Sequence, residues 1–312
     1  MKNNLIILGG TGRLGKVLVE YFSKIENIQV ISIDKKTQER GTNSIHLSFD
    51  IENTDLIDEL IKLKLKKSLI INASGVQHSF FAKNIYKSNY LAPVSFINGI
   101  NNIDLSYYFV QISSISVSTG EDIIPVPGEG TPINYYGYTK RKFEFFLKEN
   151  LQHKNFFILR PGAFYGGDYE NKNFEKFLTF LKKGLFIYPK RKVYRSYTNV
   201  NTVVSAIEII ANDYFSGIEN LPNISNLTDV TSLSTFELFK KFKKELNHKN
   251  IPIIIPTFIF KFVAKFSYFL EKYFRIHINL LTMIGEQGFN FTGKVNSYFI
   301  NKKLEQYETK FE

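Results

Sequence analysis

Tyr136 and Lys140 stand four residues apart in the run Tyr135-Tyr136-Gly137-Tyr138-Thr139-Lys140. On a helix that spacing puts the two side chains on one face. A phenol exchanges protons near neutrality only when its pKa is lowered, and a neighbouring ammonium does this by stabilising the phenolate. Tyr138 lacks the four-residue spacing, so Tyr136 is the expected acid and base. Shortly before it comes Ile112-Ser113-Ser114-Ile115-Ser116-Val117, a strand end carrying hydroxyls that can polarise a carbonyl or an alcohol. A Tyr-x-x-x-Lys pattern alone also suits any solvated helix face. Its position in the chain is what gives it weight.

Upstream, the apolar run Asn4–Leu8 leads straight into Gly9-Gly10-Thr11-Gly12-Arg13-Leu14-Gly15-Lys16, and an amphipathic helix pattern follows to Ile25. Glycines after a strand let the backbone turn sharply and approach a pyrophosphate. The following helix then aims its N-terminal amides and positive dipole end at the phosphates. Gly9, Gly12, Arg13, Leu14 and Gly15 are therefore expected to hold a dinucleotide. Asp34 closes the second strand about 20 residues on, where a carboxylate binds the adenosine ribose hydroxyls and repels a 2′-phosphate. That favours NAD, while Arg13, Lys35 and Lys36 leave NADP open. Asp50 and Ile51, after the third strand, are placed to meet the adenine edge.

Short apolar strands at Gln29–Ile33, Ser44–Phe49, Ser68–Asn72, Tyr107–Ile112 and Asn155–Leu159 continue the pattern. Between them lie helical stretches at Asp55–Leu63, Asn84–Ile100 and Tyr135–Asn150. Near-continuous apolar strands alternating with helices predict a parallel sheet covered on both faces, a doubly wound Rossmann-type α/β fold. The rhythm changes after Arg160. Residues 1–165 read as the nucleotide-binding domain and 166–312 as a smaller, mostly helical substrate lobe, with 196–215 returning to pack on the first domain.

The 312 residues include no cysteine, which excludes disulfides, thiolate metal sites and cysteine nucleophiles. Five histidines lie at 46, 78, 153, 248 and 277 without metal-ligand spacing, so no metal is expected. The net charge is +11, but lysine is spread through a chain that is also rich in Asn, Ile and Phe. This is a compositional bias without a basic run, and no nucleic-acid partner is expected. No secretory signal or stretch of about 18 uncharged apolar residues occurs, so the expectation is a cytoplasmic protein.

The order of these motifs resembles the extended short-chain dehydrogenase/reductase family, the NAD-dependent epimerase/dehydratase group that modifies sugar nucleotides. The resemblance covers nearly the whole chain. It includes the glycine loop, Asp34, Asp50-Ile51, Asn72-Ala73-Ser74-Gly75, Asn89, Ser114, the Tyr136–Lys140 run, Leu159-Arg160-Pro161 and Tyr165-Gly166. It implies Ser114, Tyr136 and Lys140 as the catalytic set, with Ser113 and Ser116 as neighbouring hydroxyls. It implies that Ala73, Ser74, Asn89, Tyr136, Lys140 and Pro161 join the cofactor site. Arg195 in Arg195-Ser196-Tyr197-Thr198-Asn199-Val200 matches a segment whose arginine contacts the diphosphate of a nucleotide sugar. Ala163 stands where the family often has a phosphate-contacting Asn. A homodimer through the helices near 84–100 and 135–150 is also implied, as is work in polysaccharide biosynthesis.

The departures narrow the chemistry. Family dehydratases carry Asp-Glu directly after the catalytic Thr, whereas Ile115-Ser116 follows Ser114 here. That points away from dehydration and toward a 4-keto reductase or a C4 epimerase acting on a nucleotide-activated sugar. A steroid-dehydrogenase-like enzyme of hydrophobic alcohols or ketones, and a dinucleotide-binding protein without turnover, are the rival readings. The aromatic segment Ile251–Gly285 contains Phe258, Phe260, Phe262, Phe266, Tyr268, Phe269, Tyr273 and Phe274. It reads as two helices that cap the cleft and fill the core of the second lobe. Contact with an anionic membrane is the alternative for the same segment.

Overall fold

Asn3–Leu8 (β1) is an interior strand of the sheet because its Leu5-Ile6-Ile7-Leu8 run is apolar on both faces and entirely buried. The computed structural model describes residues 2–37, 44–117, 132–151, 155–166, 179, 187–218, 221–229, 232–245 and 253–304. Ile28–Asp34 (β2) and Ser44–Ser48 (β3) extend the sheet on one side of β1. Lys67–Asn72 (β4), Ser106–Ile112 (β5) and Phe156–Pro161 (β6) extend it on the other. Ile224–Leu227 (β10) adds a parallel edge strand against β6, giving seven strands in the order β10-β6-β5-β4-β1-β2-β3. The order reverses between β1 and β4, so their C-terminal ends open a crevice there.

Two apolar layers sandwich the sheet. Arg13–Phe22 (α1) buries Leu14, Leu18 and Phe22 at four-residue spacing, and Val200–Phe215 (α6) packs in the same layer through Val203, Ile207 and Ile210. On the other face lie Asp55–Lys62 (α2), Ala92–Ile100 (α4) and Tyr135–Asn150 (α5). The helix read across Asn84–Ile100 is not uniform. Ala82–Tyr86 (α3) passes through a π turn at Lys87–Leu91 before α4 begins. Pro93 cannot donate to the carbonyl four residues back, and the chain widens just before it.

After Arg160 helices still predominate among the described residues, with short strands set between them. Ala163–Tyr165 (β7), Tyr194–Asn199 (β9) and Ser232–Ser234 (β11) form a three-stranded sheet in the order β11-β9-β7. Ile187–Pro189 (β8) pairs with Ile253–Ile255 (β12). Helices Thr235–Glu245 (α7), Thr257–Phe269 (α8), Asn279–Glu286 (α9) and Ser297–Asn301 (α10) complete the described chain.

The aromatic segment does form a helix pair, α8 and α9. Its expected role as filling for the core is corrected for most of its rings. Phe260 is buried, whereas Phe258, Phe262, Phe266, Phe269, Tyr273 and Phe274 are exposed. The reason is width: α8 has apolar residues around most of its circumference, and only the stripe Phe260, Ala264 and Ser267 turns inward.

Candidate active site

One cavity of about 930 Å³ runs from the glycine loop to α9. At its first end the chain leaves β1 through Gly9, whose φ of +80° lies in the left-handed region that favours glycine. A Cβ on Gly15 would sit 2.0 Å from the Gly9 carbonyl oxygen and 2.8 Å from Gly10 Cα, so only glycine lets α1 start this close to the strand. No side chain caps α1 at Gly12, and the helix end opens on the cavity through Gly12, Arg13 and Leu14. A pyrophosphate fits this cradle. Gly15→Ala should weaken dinucleotide binding on the order of tenfold or more, because misplacing amide donors forfeits about 1–3 kcal/mol. Isothermal titration with the dinucleotide checks this, and unaltered affinity would show that the loop tolerates the Cβ.

Asp34 faces the same loop. Its carboxylate accepts from the backbone N–H of Thr11 at 3.2 Å and of Lys36 at 3.3 Å. Lys35, Asp50, Ile51, Ala73 and Ser74 also line the cavity.

At the middle of the cavity, Ser114, Ser116, Tyr136, Lys140, Pro161 and Ala163 come together. Asn134 fixes the start of α5 by accepting from Gly137 N at 2.6 Å, which sets the turn that carries Tyr136. Lys140 is buried, and its ammonium donates to the carbonyls of Ile112 at 3.0 Å and Ser74 at 3.3 Å, at the ends of β5 and β4. Burial pulls its pKa down to about 8, against the opposing pull of Glu144. The two hydroxyls beside Ser114 differ. Ser113 touches the cavity but is nearly buried, and its hydroxyl donates to Glu144 at 2.6 Å. Ser116 shares a 3.1 Å hydrogen bond with Ser114, whose Oγ also accepts from Ser116 N.

The profile of the NAD dependent epimerase/dehydratase family matches residues 5–224. The chain belongs to that family. A search of the curated proteins gives no match. Among solved structures, Bacillus cereus UDP-glucuronic acid 4-epimerase in complex with UDP-glucuronic acid and NAD superposes with a TM-score of 0.63 at 16% identity, covering 81% of this chain and 86% of that one. UDP-N-acetylglucosamine 4-epimerase from Methanobrevibacter ruminantium, in complex with UDP-N-acetylmuramic acid, gives 0.63 at 18% identity, with 82% and 86% covered. The dTDP-4-dehydrorhamnose reductase of Bacillus anthracis, in complex with NADP, gives 0.59 at 22% identity, with 82% and 85% covered. At these identities the likeness is one of fold.

In this epimerase/dehydratase family member the far end of the cavity is built by β9 and α9. Arg195 on β9 donates from Nη2 to the Glu286 carbonyl at 2.8 Å and lies 3.9 Å from the Glu286 carboxylate, with its guanidinium 4.9 Å from the centre of the Phe291 ring. Its Nε–H is buried and has no hydrogen-bond partner among the described residues. Glu286 also accepts from Asn134 at 2.6 Å, and desolvation raises its pKa against the lowering pull of Arg195.

Two sequence-predicted cofactor residues lie behind the cavity wall. Gly15 packs against Gly9, and Asn89 is buried, clamping Val76 N and O at 2.9 Å each and donating to Thr139 at 3.1 Å. Asn89 thereby positions the Ser74–Val76 loop against α5. The sequence reading missed one cluster altogether. His78 reaches the cavity, its Nδ1 is 3.2 Å from His277 Nε2, and His277 Nδ1 bonds the buried Glu271. Glu271 also accepts from Tyr135 N at 3.0 Å. The two histidines are 199 residues apart, so no spacing in the chain could have joined them.

Proposed function

We propose that this chain is an NAD-dependent oxidoreductase of nucleotide-activated sugars, working as a 4-keto reductase or as a C4 epimerase. The observation that carries the reading is the buried, unpaired Nε–H of Arg195 in the same cavity as Tyr136 and the glycine loop. Leaving such a donor unsatisfied costs about 1–3 kcal/mol. A diphosphate oxygen supplies the missing acceptor, and a guanidinium fork suits it by geometry and charge. The solved structures of similar fold that contain UDP-glucuronic acid or UDP-N-acetylmuramic acid support the same substrate class.

The cofactor would be held by Gly9, Gly12 and the start of α1 at its pyrophosphate, by Asp34 at the adenosine ribose, and by Asp50 and Ile51 at the adenine. Tyr136 and Lys140 would meet the second ribose, with Ala73, Ser74 and Pro161 beside it. When bound, the nicotinamide supplies or accepts the hydride. Tyr136 gives its phenolic proton to the sugar carbonyl oxygen in reduction and takes one from the hydroxyl in oxidation. The Lys140 ammonium stabilises the phenolate between these events. Ser114 holds the same sugar oxygen by a hydrogen bond, while Ser113 is committed to Glu144. One Asp34 oxygen accepts from Thr11 N of the loop, and a carboxylate lining the cavity there supports NAD over NADP.

The test is turnover with NADH or NADPH and a panel of nucleotide 4-ketosugars, followed by absorbance, together with nucleotide hexoses followed by chromatography. Loss of absorbance with one ketosugar identifies the reductase. Interconversion of two hexoses without net cofactor consumption identifies the epimerase. Turnover of neither set overturns the proposal.

The rate should also carry an alkaline limb. Lys140 works as the ammonium, and burial holds its pKa near the low value of about 8. Below that pH the charged form dominates, so kcat/KM should be high there and fall as pH rises through it. Lys140→Arg, which stays charged, should move the limb upward. A flat profile on the alkaline side would remove Lys140 from this role.

A further inference from the structure

We propose that the outer face of α8, continued by Tyr273 and Phe274 and by Phe80 and Phe81, docks the protein on an anionic membrane surface. The inner side of α8 is spoken for. Phe260, Ala264 and Ser267 are buried, and a Cβ on Gly285 of α9 would lie 2.5 Å from Ala264 Cα, so the two helices are in close contact. The outer side presents Phe258 and Phe262, each 69% exposed, with Phe266 and Phe269 beside them. At 3.6 residues per turn these four rings share one arc roughly 100° wide. A soluble surface seldom leaves so many large rings adjacent and in water.

Charge identifies what covers them. Lys261 and Lys265 lie along one edge of the arc, Lys272 and Arg275 follow, and all four are exposed. The one acidic residue between 257 and 280 is Glu271, which is fully buried and bonded inward to His277 and Tyr135. Every exposed formal charge on this segment is therefore positive. Aromatic rings bordered by lysines are the composition of a helix lying in a lipid headgroup region, with anionic lipid meeting the cations. A second copy of the chain fits poorly, because a two-fold pairing of this face would set its lysines against their own copies. No helix among the described residues is long and apolar enough to cross a membrane, so the protein would lie on the surface.

The face adjoins the entrance of the cavity. Phe81 forms an antiparallel bridge with Ile276, and the Phe80 carbonyl accepts from His277 N at 2.9 Å. The same loop contributes Gln77, His78 and Ser79 to the cavity lining. Docking would thus hold the cavity mouth beside the lipid. The inference rests on the surface and not on the chemistry proposed above, so either can fail alone.

The test is sedimentation of the full chain with vesicles of phosphatidylcholine alone or mixed with phosphatidylglycerol. At low salt the anionic vesicles should carry down on the order of tenfold more protein than the neutral ones, and high salt should release it. Phe258→Glu combined with Phe262→Glu should abolish sedimentation while leaving the circular-dichroism melting curve unchanged. Lys261→Glu with Lys265→Glu should remove the preference for anionic lipid. Protein that stays in the supernatant with both vesicle types at low salt overturns the proposal. So does either double variant that sediments with anionic vesicles as fully as the unaltered chain. An oligomer in lipid-free solution that the phenylalanine variant dissociates would assign the face to a second copy and also overturn it.

Discussion

Tyr136→Phe should lower kcat by about 10²–10⁴-fold, the contribution of one well-placed proton donor, and leave cofactor affinity nearly unchanged. The substitution removes one oxygen and keeps the ring. Asn134 still caps α5 through Gly137 N, and Lys140 still bonds the carbonyls of Ile112 and Ser74, so the surrounding walls stay in place. Steady-state turnover and fluorescence titration of the reduced cofactor measure the two effects separately. A variant that turns over like the parent would take the acid/base role away from Tyr136. A variant that loses turnover and cofactor together would mean that the phenol mainly organises the binding site.

The largest loss of stability is expected from Glu144→Ala. Glu144 lies on the buried side of α5, one turn beyond Lys140. Its carboxylate accepts from Arg160 Nε at 2.9 Å and Nη2 at 2.5 Å, and from Ser113 Oγ at 2.6 Å, with Arg141 3.9 Å away. Arg160 is only 2% exposed. Removing the carboxylate leaves a guanidinium in the interior without its partner, which costs about 3–5 kcal/mol. Urea unfolding followed by circular dichroism measures it. Removing Glu20, whose pairing with Lys24 lies on the surface, should be barely measurable and serves as the control. If the two variants unfold alike, the interior pair is not what ties α5 to β6.

The nucleotide-binding half is legible because its signals are local. A run such as Leu5–Leu8 followed by Gly9 specifies a buried strand and a tight turn without help from distant residues. The same holds for the Tyr136–Lys140 spacing. The edge strand Ile224–Leu227 is different: it is four residues long and half polar, and it becomes a strand only by pairing with Ile158–Pro161. The aromatic helix fails for another reason. Apolar residues on nearly every side of α8 mark burial and docking equally well, and only the position of α9 decides which stripe turns inward. The His78–His277–Glu271 cluster and the Glu286 contact with Arg195 join parts of the chain that sequence spacing cannot relate. These are the contacts by which the second half of the chain shapes the cavity.

The start of α5 is held from the other half of the molecule. Glu271 accepts from Tyr135 N at 3.0 Å, Arg275 donates to the Tyr135 hydroxyl at 2.9 Å, and Glu286 accepts from Asn134 at 2.6 Å. A carboxylate at this point also meets the positive end of the helix dipole. Hybrid enzymes made by exchanging the C-terminal half for a relative's, in the hope of importing a new specificity, would therefore disturb proton transfer as well. A graft lacking a carboxylate at position 271 leaves the Tyr135 amide buried and unpaired one residue from Tyr136, the proposed acid and base. If Tyr136 is the acid and base proposed above, selectivity and catalytic rate are not separate modules in this chain, and substitutions that retarget one should be chosen with position 271 held fixed.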